Sequence, residues 1–119
     1  MLTSVIGHQP AKGWVIVDAG WMAMSRDRGT VKQSRDFGYG LPCTLDASPL
    51  EGCAFVGANQ EHGILAVDCH DARQLAERFP LGMKLRILPN HACATGAQYP
   101  EYHAVAPDGV AVWSRFHGW

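Results

Sequence analysis

The stretch MKLRI at residues 83–87 alternates strictly between apolar and charged side chains. Successive side chains of a β-strand point to opposite faces, so this alternation predicts a strand with one buried face. Three short apolar runs bounded by turn residues predict further strands, at residues 13–18, 53–57 and 63–67. Two more alternating runs, 102–106 and 110–116, flank PDG at residues 107–109, and an Asp-Gly turn between such runs is typical of a hairpin.

Helical spacing of apolar residues is confined to residues 71–79, where one short helix is expected. Residues 25–49 show no period and contain several Gly and Pro, so a long irregular loop is expected there. Many short strands with little helix are typical of a small closed or double-layered β-structure. The sequence therefore predicts a single mostly-β domain over residues 1–119, a small β-barrel or sandwich with one short helix.

The composition excludes several classes of function. The chain has 119 residues, of which 47% are hydrophobic and 18% charged, and its formal net charge is -1. Binding of nucleic acid depends on clustered Lys and Arg, and because no such cluster is present we expect no nucleic-acid partner. No apolar run is long enough to span a membrane and no signal-peptide pattern is present, so no membrane association is expected. The four cysteines form no CxxC pair, which indicates a reducing cytoplasm with Cys53 and Cys69 as buried thiols.

The segment PNHAC at residues 89–93 follows the alternating strand and suggests a metal site. In extended backbone, residues two apart point to the same side, so His91 and Cys93 would project toward one point. Zinc accepts imidazole nitrogen and thiolate sulfur together, and two protein ligands leave positions for water and substrate. The alternative is a buried cysteine beside a surface histidine, since free cysteine is among the most buried residue types.

Two other polar pairs are candidates for a supporting role around such a metal. Glu61 and His62 would place a carboxylate beside an imidazole, as an outer shell requires, or they form a polar hairpin turn. Tyr102 and His103 alternate in a predicted strand, so that one faces inward and the other outward. Either of these two residues would line the site, the alternative being a packed aromatic side chain.

Four motifs in order resemble those of the C-terminal domain of D-serine dehydratases and D-threonine aldolases. They are VDAG at 17–20 with MSRDRG at 24–29, QEHG at 60–63, PNHAC at 89–93, and RFHGW at 115–119. The resemblance covers nearly the whole chain. It implies pyridoxal-phosphate enzymes of the alanine-racemase-like fold type, in which an N-terminal α/β barrel carries the Schiff-base lysine and a β-rich C-terminal domain closes the active site.

The resemblance implies that His91 and Cys93 are metal ligands, and thiolate with imidazole favours zinc. It also implies a pyridoxal-phosphate-binding barrel as the missing partner domain, a D-amino acid substrate and a homo-oligomer. Because the barrel and its lysine are absent, we expect a fragment of a larger enzyme that is not catalytically complete alone. No catalytic residue is assigned within this chain, and pyridoxal phosphate would be bound only in the complete enzyme.

Three hypotheses about function remain open at this stage. The first is the metal-bearing domain of a lyase acting on D-3-hydroxy amino acids, of either the dehydratase or the aldolase type. The second is a stand-alone β-barrel that binds a small molecule or a protein without catalysis. The third is a small zinc hydrolase in which His62 or His103 would join His91 and Cys93 as a third ligand.

Overall fold

The structure, a computed structural model, describes residues 1–116 of the chain. Within this range most of the regular structure is β. The strands are β1 (Leu2–Gln9), β2 (Trp14–Val17), β3 (Gly40–Cys43), β4 (Cys53–Ala58), β5 (Gly63–Val67), β6 (Lys84–Pro89), β7 (Glu101–Ala106) and β8 (Gly109–Ser114). The α-helices are α1 (Ala72–Arg78) and α2 (Ala92–Ala97), and Pro10–Lys12 form a turn of 3-10 helix. The mostly-β prediction is confirmed.

Six of the strands form one antiparallel sheet in the order β3-β6-β1-β2-β5-β4, while β7 and β8 form a separate hairpin. The large sheet curls until its two edges meet, where the Tyr39 amide donates to the Phe55 carbonyl at 3.0 Å. Gly38 permits this approach, because its φ is +61° and a Cβ there would lie 2.0 Å from the Phe55 carbonyl oxygen. The result is a nearly closed six-stranded barrel, one of the two predicted architectures, although its strand β1 was not among the predicted strands.

The barrel interior is filled by the side chains that point inward from alternating positions of the strands. In β6, Leu85 and Ile87 are fully buried, whereas Lys84 and Leu88 are exposed, as the alternation predicted. Helix α1 adds the buried side chain of Leu75 to this core, and Phe79, which follows the last residue of α1, is also buried there. Other members of the core come from β1, β2, β4, β5 and the loop after β2: Val5, Val15, Val17, Ala19, Met24, Phe55, Leu65 and Val67.

The expected irregular loop at residues 25–49 contains strand β3, so the prediction is wrong for Gly40–Cys43. Pro42 cannot donate a hydrogen bond to a neighbouring strand, which argues against a central strand. It is tolerated because β3 lies at an edge of the sheet and pairs on one side with β6. The remainder of that segment is irregular apart from turns, as expected.

The expected single helix is accompanied by a second one, α2, directly after β6. His91 itself has extended backbone, with φ −125° and ψ 91°, but the helix begins at Ala92. The prediction that His91 and Cys93 lie together on extended backbone is therefore wrong for Cys93. The physical reason is the run of small residues with three alanines, since alanine has the highest intrinsic helix propensity.

Smaller details of the prediction are also corrected. In the β7–β8 hairpin Ala106 pairs with Gly109, so Pro107 and Asp108 are the central residues of the turn. The buried thiol is Cys43, while Cys53 and Cys69 are half-buried. The terminal motif falls partly on residues 117–119, which lie outside the described residues. Within residues 1–116, no helix combines the length and apolar character needed to cross a membrane.

Candidate metal site

The predicted ligand pair occupies the first turn of α2. His91 is the residue that caps the helix, and Cys93 is its second residue and is exposed to solvent. The His91 carbonyl accepts hydrogen bonds from the Thr95 amide at 3.1 Å and from Thr95 Oγ1 at 2.8 Å. These two bonds fix where the helix begins. The imidazole and the thiol therefore belong to the same short, well-defined piece of backbone.

One nitrogen of the His91 ring is engaged by a carboxylate from a distant part of the sequence. His91 Nδ1 is hydrogen-bonded to Asp27 Oδ2, and both side chains are about half exposed. An ionised carboxylate can only accept, so Nδ1 carries the hydrogen. In the neutral imidazole, Nε2 then bears the lone pair. This is the state in which a histidine acts as a metal ligand through Nε2.

The loop that carries Asp27 is held in shape by its own hydrogen bonds. The Asp27 amide donates to Ser25 Oγ at 2.9 Å. Asp36 accepts from Arg28, from Thr30 Oγ1 at 3.1 Å and from the Gly38 amide at 2.9 Å. The Gly38 amide is the main cause that lowers the pKa of Asp36, with smaller contributions from Thr30 and Arg28. The loop is thus ordered around a carboxylate that stays ionised.

Asn90 joins this loop to the start of α2. Its side-chain amide donates to Thr30 Oγ1 at 3.3 Å and to the Gly38 carbonyl. Asn90 directly precedes His91. The Asn90 bonds and the Asp27–His91 contact therefore connect two consecutive residues to the same loop. The ligand pair is therefore attached to the loop by two neighbouring residues.

The other end of α2 is held by aromatic and basic side chains. Tyr99 Oη donates to the Ala23 carbonyl at 2.8 Å, and burial raises the pKa of Tyr99. Tyr102 Oη donates to the Gly96 carbonyl at 3.1 Å, and Arg115 Nη1 donates to the Ala97 carbonyl at 2.7 Å. Helix α2 is accordingly fixed between the loop after β2 and the β7–β8 hairpin.

The structure places Tyr102 and His103 beside α2. Both line an open cavity of about 690 Å³ whose wall includes Ala92, Thr95 and Tyr99. His103 Nε2 lies 3.0 Å from Glu101 Oε1 on the same strand. Tyr102 therefore has a structural contact with α2, whereas the ring of His103 is paired within the hairpin.

Glu61 and His62 lie on the turn between β4 and β5. His62 Nε2 is 3.0 Å from Asn59 Nδ2. Glu61 lines a separate cavity of about 280 Å³, whose wall includes Gln98 and Tyr99 beyond the C-terminal end of α2. The turn thus reaches the end of α2 opposite to His91, and no bond between this pair and His91 is present among the described side chains.

The first turn of α2 carries two kinds of donor that metal ions accept, the imidazole of His91 and the thiol of Cys93. Within residues 1–116, no group of three or more His, Cys, Asp and Glu side chains is placed to hold a metal ion. His62 and His103 are accordingly not placed as a third ligand, and the zinc hydrolase hypothesis lacks the ligand that it needs in this range. One imidazole nitrogen and one thiolate suit zinc and leave positions for ligands from elsewhere.

The reasoning from sequence did not find Asp27 or Asn90 as partners of this site. Asp27 is 64 positions from His91, and no periodic pattern connects residues so far apart. Two features of the sequence indicated that the region around Asp27 is functional: Asp27 lies within the MSRDRG motif, and the irregular loop at residues 25–49 is long. Loops of that length in compact domains are usually functional.

The comparisons with known proteins cover the residues of this site, including Asp27, His91 and Cys93. The family model described as "Putative serine dehydratase domain" matches residues 1–105. The chain is 63% identical over its whole length to a D-threo-3-hydroxyaspartate dehydratase from Delftia sp. (strain HT23) and 31% identical to a D-serine dehydratase from Saccharomyces cerevisiae. It spans 32% and 28% of the length of these two relatives, respectively.

Solved structures agree with this similarity. The Delftia dehydratase structure matches 99% of this chain with a TM-score of 0.89, and the chain covers 32% of it. An alanine-racemase-like protein from Idiomarina loihiensis is 48% identical, matches 99% of this chain and has a TM-score of 0.87, with 31% of that protein covered. The expected alanine-racemase-like fold type is therefore confirmed.

Two solved structures of variants of a D-threo-3-hydroxyaspartate dehydratase, each 62% identical to this chain, bear on the ligand pair. One is a cysteine-to-alanine mutant described as being in the metal-free form, and the other is a histidine-to-alanine mutant. The replaced histidine and cysteine stand two positions apart in that protein, the spacing that His91 and Cys93 have here. A D-threonine aldolase from Filomicrobium marinum, 23% identical over 95% of this chain and 26% of its own, has a TM-score of 0.64 and shares the fold.

Proposed function

Since this chain belongs to the serine dehydratase domain family, we propose that it is the metal-bearing C-terminal domain of a pyridoxal-phosphate-dependent dehydratase of D-3-hydroxy amino acids. The observation that carries the proposal is the geometry of His91, whose Nδ1 is held by Asp27 so that Nε2 is free for a metal in the turn that also presents Cys93. The similarity to a dehydratase with a histidine and a cysteine at the same spacing supports it.

We favour a dehydratase over an aldolase. The relatives that are 63% and 31% identical are both dehydratases, whereas the aldolase at 23% identity supports the fold alone. The reaction would convert a D-3-hydroxy amino acid into a 2-oxo acid and ammonia, with loss and regain of one water. D-threo-3-hydroxyaspartate is the first substrate to test, because the relative that acts on it is 63% identical to this chain.

The residues of this chain would contribute the metal ligands. His91 would donate its Nε2 lone pair and Cys93 its thiolate, a pair that favours zinc over the harder cations. When bound, zinc supplies Lewis acidity that makes a substrate hydroxyl a better leaving group. With two protein ligands, the remaining positions are open to a substrate hydroxyl or carboxylate.

The remaining parts of the reaction would come from a barrel domain that binds pyridoxal phosphate. When bound, this cofactor acts as the electron sink of the reaction. The chain, as one domain over residues 1–119, would then be inactive by itself. Tyr102 would act by holding α2 through Gly96, since that is the contact its hydroxyl makes. Glu61, His62 and His103 would shape the surroundings of α2, because they line cavities or turns beside it and do not face His91 directly.

A domain exchange tests this proposal. The C-terminal segment of the Delftia dehydratase would be replaced by this chain, and the release of 2-oxo acid would be measured with D-threo-3-hydroxyaspartate, D-serine and D-threonine. We expect zinc-dependent dehydration that is lost when His91→Ala is introduced into the chimera. Asp46→Asn, in an exposed turn on another loop, is the matched control and should retain activity.

Two results would contradict the proposal. One is a folded chimera that binds pyridoxal phosphate and zinc but dehydrates none of these substrates, which would favour a stand-alone binding module. The other is a chimera whose activity is unaffected by His91→Ala.

A further inference from the structure

We propose that Asp27 is a positioning residue for the metal: its carboxylate selects the ring state of His91 that presents the Nε2 lone pair, and so increases the affinity for zinc. This inference rests on the proposed function in taking His91 as a metal ligand. The inference goes beyond the proposed function because it assigns a role to the loop at residues 25–38. Metal binding by His91 and Cys93 does not by itself require that loop.

The first step is the chemistry of the Asp27–His91 contact. Neutral imidazole exists as two tautomers, and the one with hydrogen on Nε2 cannot donate that nitrogen to a metal. The carboxylate of Asp27 accepts only from Nδ1–H, so it stabilises the other tautomer and fixes the rotation of the ring.

The second step is the rigidity of the loop that carries Asp27. A carboxylate on a mobile loop would not orient the His91 ring, but the loop that carries Asp27 is held by hydrogen bonds. The Asp27 amide bonds to Ser25 Oγ, and Asn90 bonds to Thr30 and to the Gly38 carbonyl. The loop is thereby tied to the residue next to His91, so the distance between the carboxylate and the ring is set by the fold.

The third step excludes a purely structural role for the pair. The side chains of His91 and Asp27 are 45% and 55% exposed, and exposed ion pairs contribute little to stability. The Asp36 network and the Asn90 bonds do not involve the Asp27 carboxylate, so we expect the loop to keep them when that carboxylate is removed. We therefore expect Asp27→Ala to shift the melting temperature by less than about 4 °C.

The affinity test uses this 119-residue chain and zinc. The zinc dissociation constant would be measured by competition with a chromophoric chelator for wild type, Asp27→Ala, Asp27→Asn and Asp27→Glu. Loss of an outer-shell carboxylate typically weakens metal affinity about 10- to 100-fold, and we expect Asp27→Ala to fall in that range. Asp27→Glu should recover part of the loss, whereas Asp46→Asn should bind zinc as wild type does.

A second readout does not depend on zinc binding. The ¹⁵N chemical shifts of the His91 ring would be recorded in the metal-free chain at a pH where histidine is neutral. We expect the Nδ1–H tautomer to dominate in wild type and the population to shift toward Nε2–H in Asp27→Ala.

The outcomes separate the inference from the proposed function. A wild-type chain that shows the Nδ1–H tautomer but binds no zinc, or binds it equally well after His91→Ala, overturns the proposed function and with it the metal role of Asp27. Zinc binding that depends on His91 but changes less than about twofold in Asp27→Ala overturns the inference alone. An unchanged tautomer population in Asp27→Ala overturns it as well.

Discussion

Asp27 and His91, 64 positions apart in the chain, are joined by a hydrogen bond between the carboxylate and Nδ1 of the ring. This contact connects a loop between β2 and β3 to the first turn of α2. It means that the geometry of the candidate ligand is set by the tertiary structure and not by the PNHAC segment alone. The segment supplies the donor atoms, while the loop determines which nitrogen is available.

We predict that the exposed thiol of Cys93 is the one that zinc protects. In the metal-free chain, alkylation should reach Cys93 readily, whereas Cys43 is fully buried and burial raises the pKa of Cys53 to about 12. Zinc should slow labelling of Cys93 and leave the rates at the other cysteines unchanged. Peptide mass spectrometry after timed iodoacetamide treatment measures this, with His91→Ala as the variant in which protection is lost. Equal labelling of Cys93 with and without zinc would oppose its role as a ligand.

We predict that two leucines of the same strand differ sharply in their contribution to stability. Leu85 is fully buried in the barrel, while Leu88 is 48% exposed. Leu85→Ala should lower the free energy of unfolding by about 2–5 kcal/mol, because it removes buried apolar atoms and leaves a cavity. Leu88→Ala should cost less than about 1 kcal/mol, as surface substitutions do. Urea unfolding of both variants measures the difference. Similar losses in the free energy of unfolding would show that β6 does not direct Leu85 into the barrel and Leu88 toward solvent.

We predict that Asp18 makes the stability of the fold sensitive to acid. Its Oδ1 accepts from Thr3 Oγ1 and from the Ser4 amide, each at 2.7 Å. Partial burial acts to raise the pKa of Asp18, but these hydrogen bonds outweigh it and lower the pKa. A lowered pKa in the folded state stabilises the fold above the unfolded value of about 3.9, and this contribution is lost as the pH falls through the folded pKa.

Asp18→Asn should therefore be less stable than wild type at pH 7, by about 1 kcal/mol because the site is partly screened by solvent. The difference should shrink as the pH falls below about 4. Thermal unfolding from pH 7 to pH 3 measures it, with Asp68→Asn as a control at an exposed carboxylate. A difference between wild type and Asp18→Asn that stays constant with pH would rule out this account.

We predict that the chain self-associates through the β7–β8 hairpin. Three valines on one face of the hairpin are each more than half exposed: Val105, Val110 and Val112. Apolar patches of this kind promote association. Sedimentation at increasing concentration should show a dimer that Val110→Lys/Val112→Lys converts to a monomer, whereas Leu81→Lys, at another exposed apolar residue, should not. A wild-type chain that stays monomeric at high concentration would refute the prediction.

The strands of the barrel were predictable where burial leaves a local pattern. Residues 83–87 alternate because β6 has one face inside the barrel, and the run at 63–67 reflects burial at every second position of β5. Strand β3 was not predictable in this way, because Gly40 and Pro42 interrupt it. Its place is determined by pairing with β6, which no local pattern shows.

The candidate site was predictable only in its donor atoms. His91 and Cys93 were found from their chemistry, but α2 was missed because its six residues are too few and too small to show an apolar period. Glu61 and His62 were chosen as a carboxylate beside an imidazole, yet the carboxylate that reaches His91 is Asp27. Contacts across 64 positions depend on how the loop folds over the barrel.

The measurement that tests the central claim most directly is the zinc bound per chain after dialysis against a zinc-buffered solution. Wild type and the double variant His91→Ala/Cys93→Ala would be compared by elemental analysis, and circular dichroism would confirm that both are folded. The account predicts one zinc per chain in wild type and none in the double variant. Zinc that remains in the double variant, or a folded wild-type chain that binds none, would contradict it.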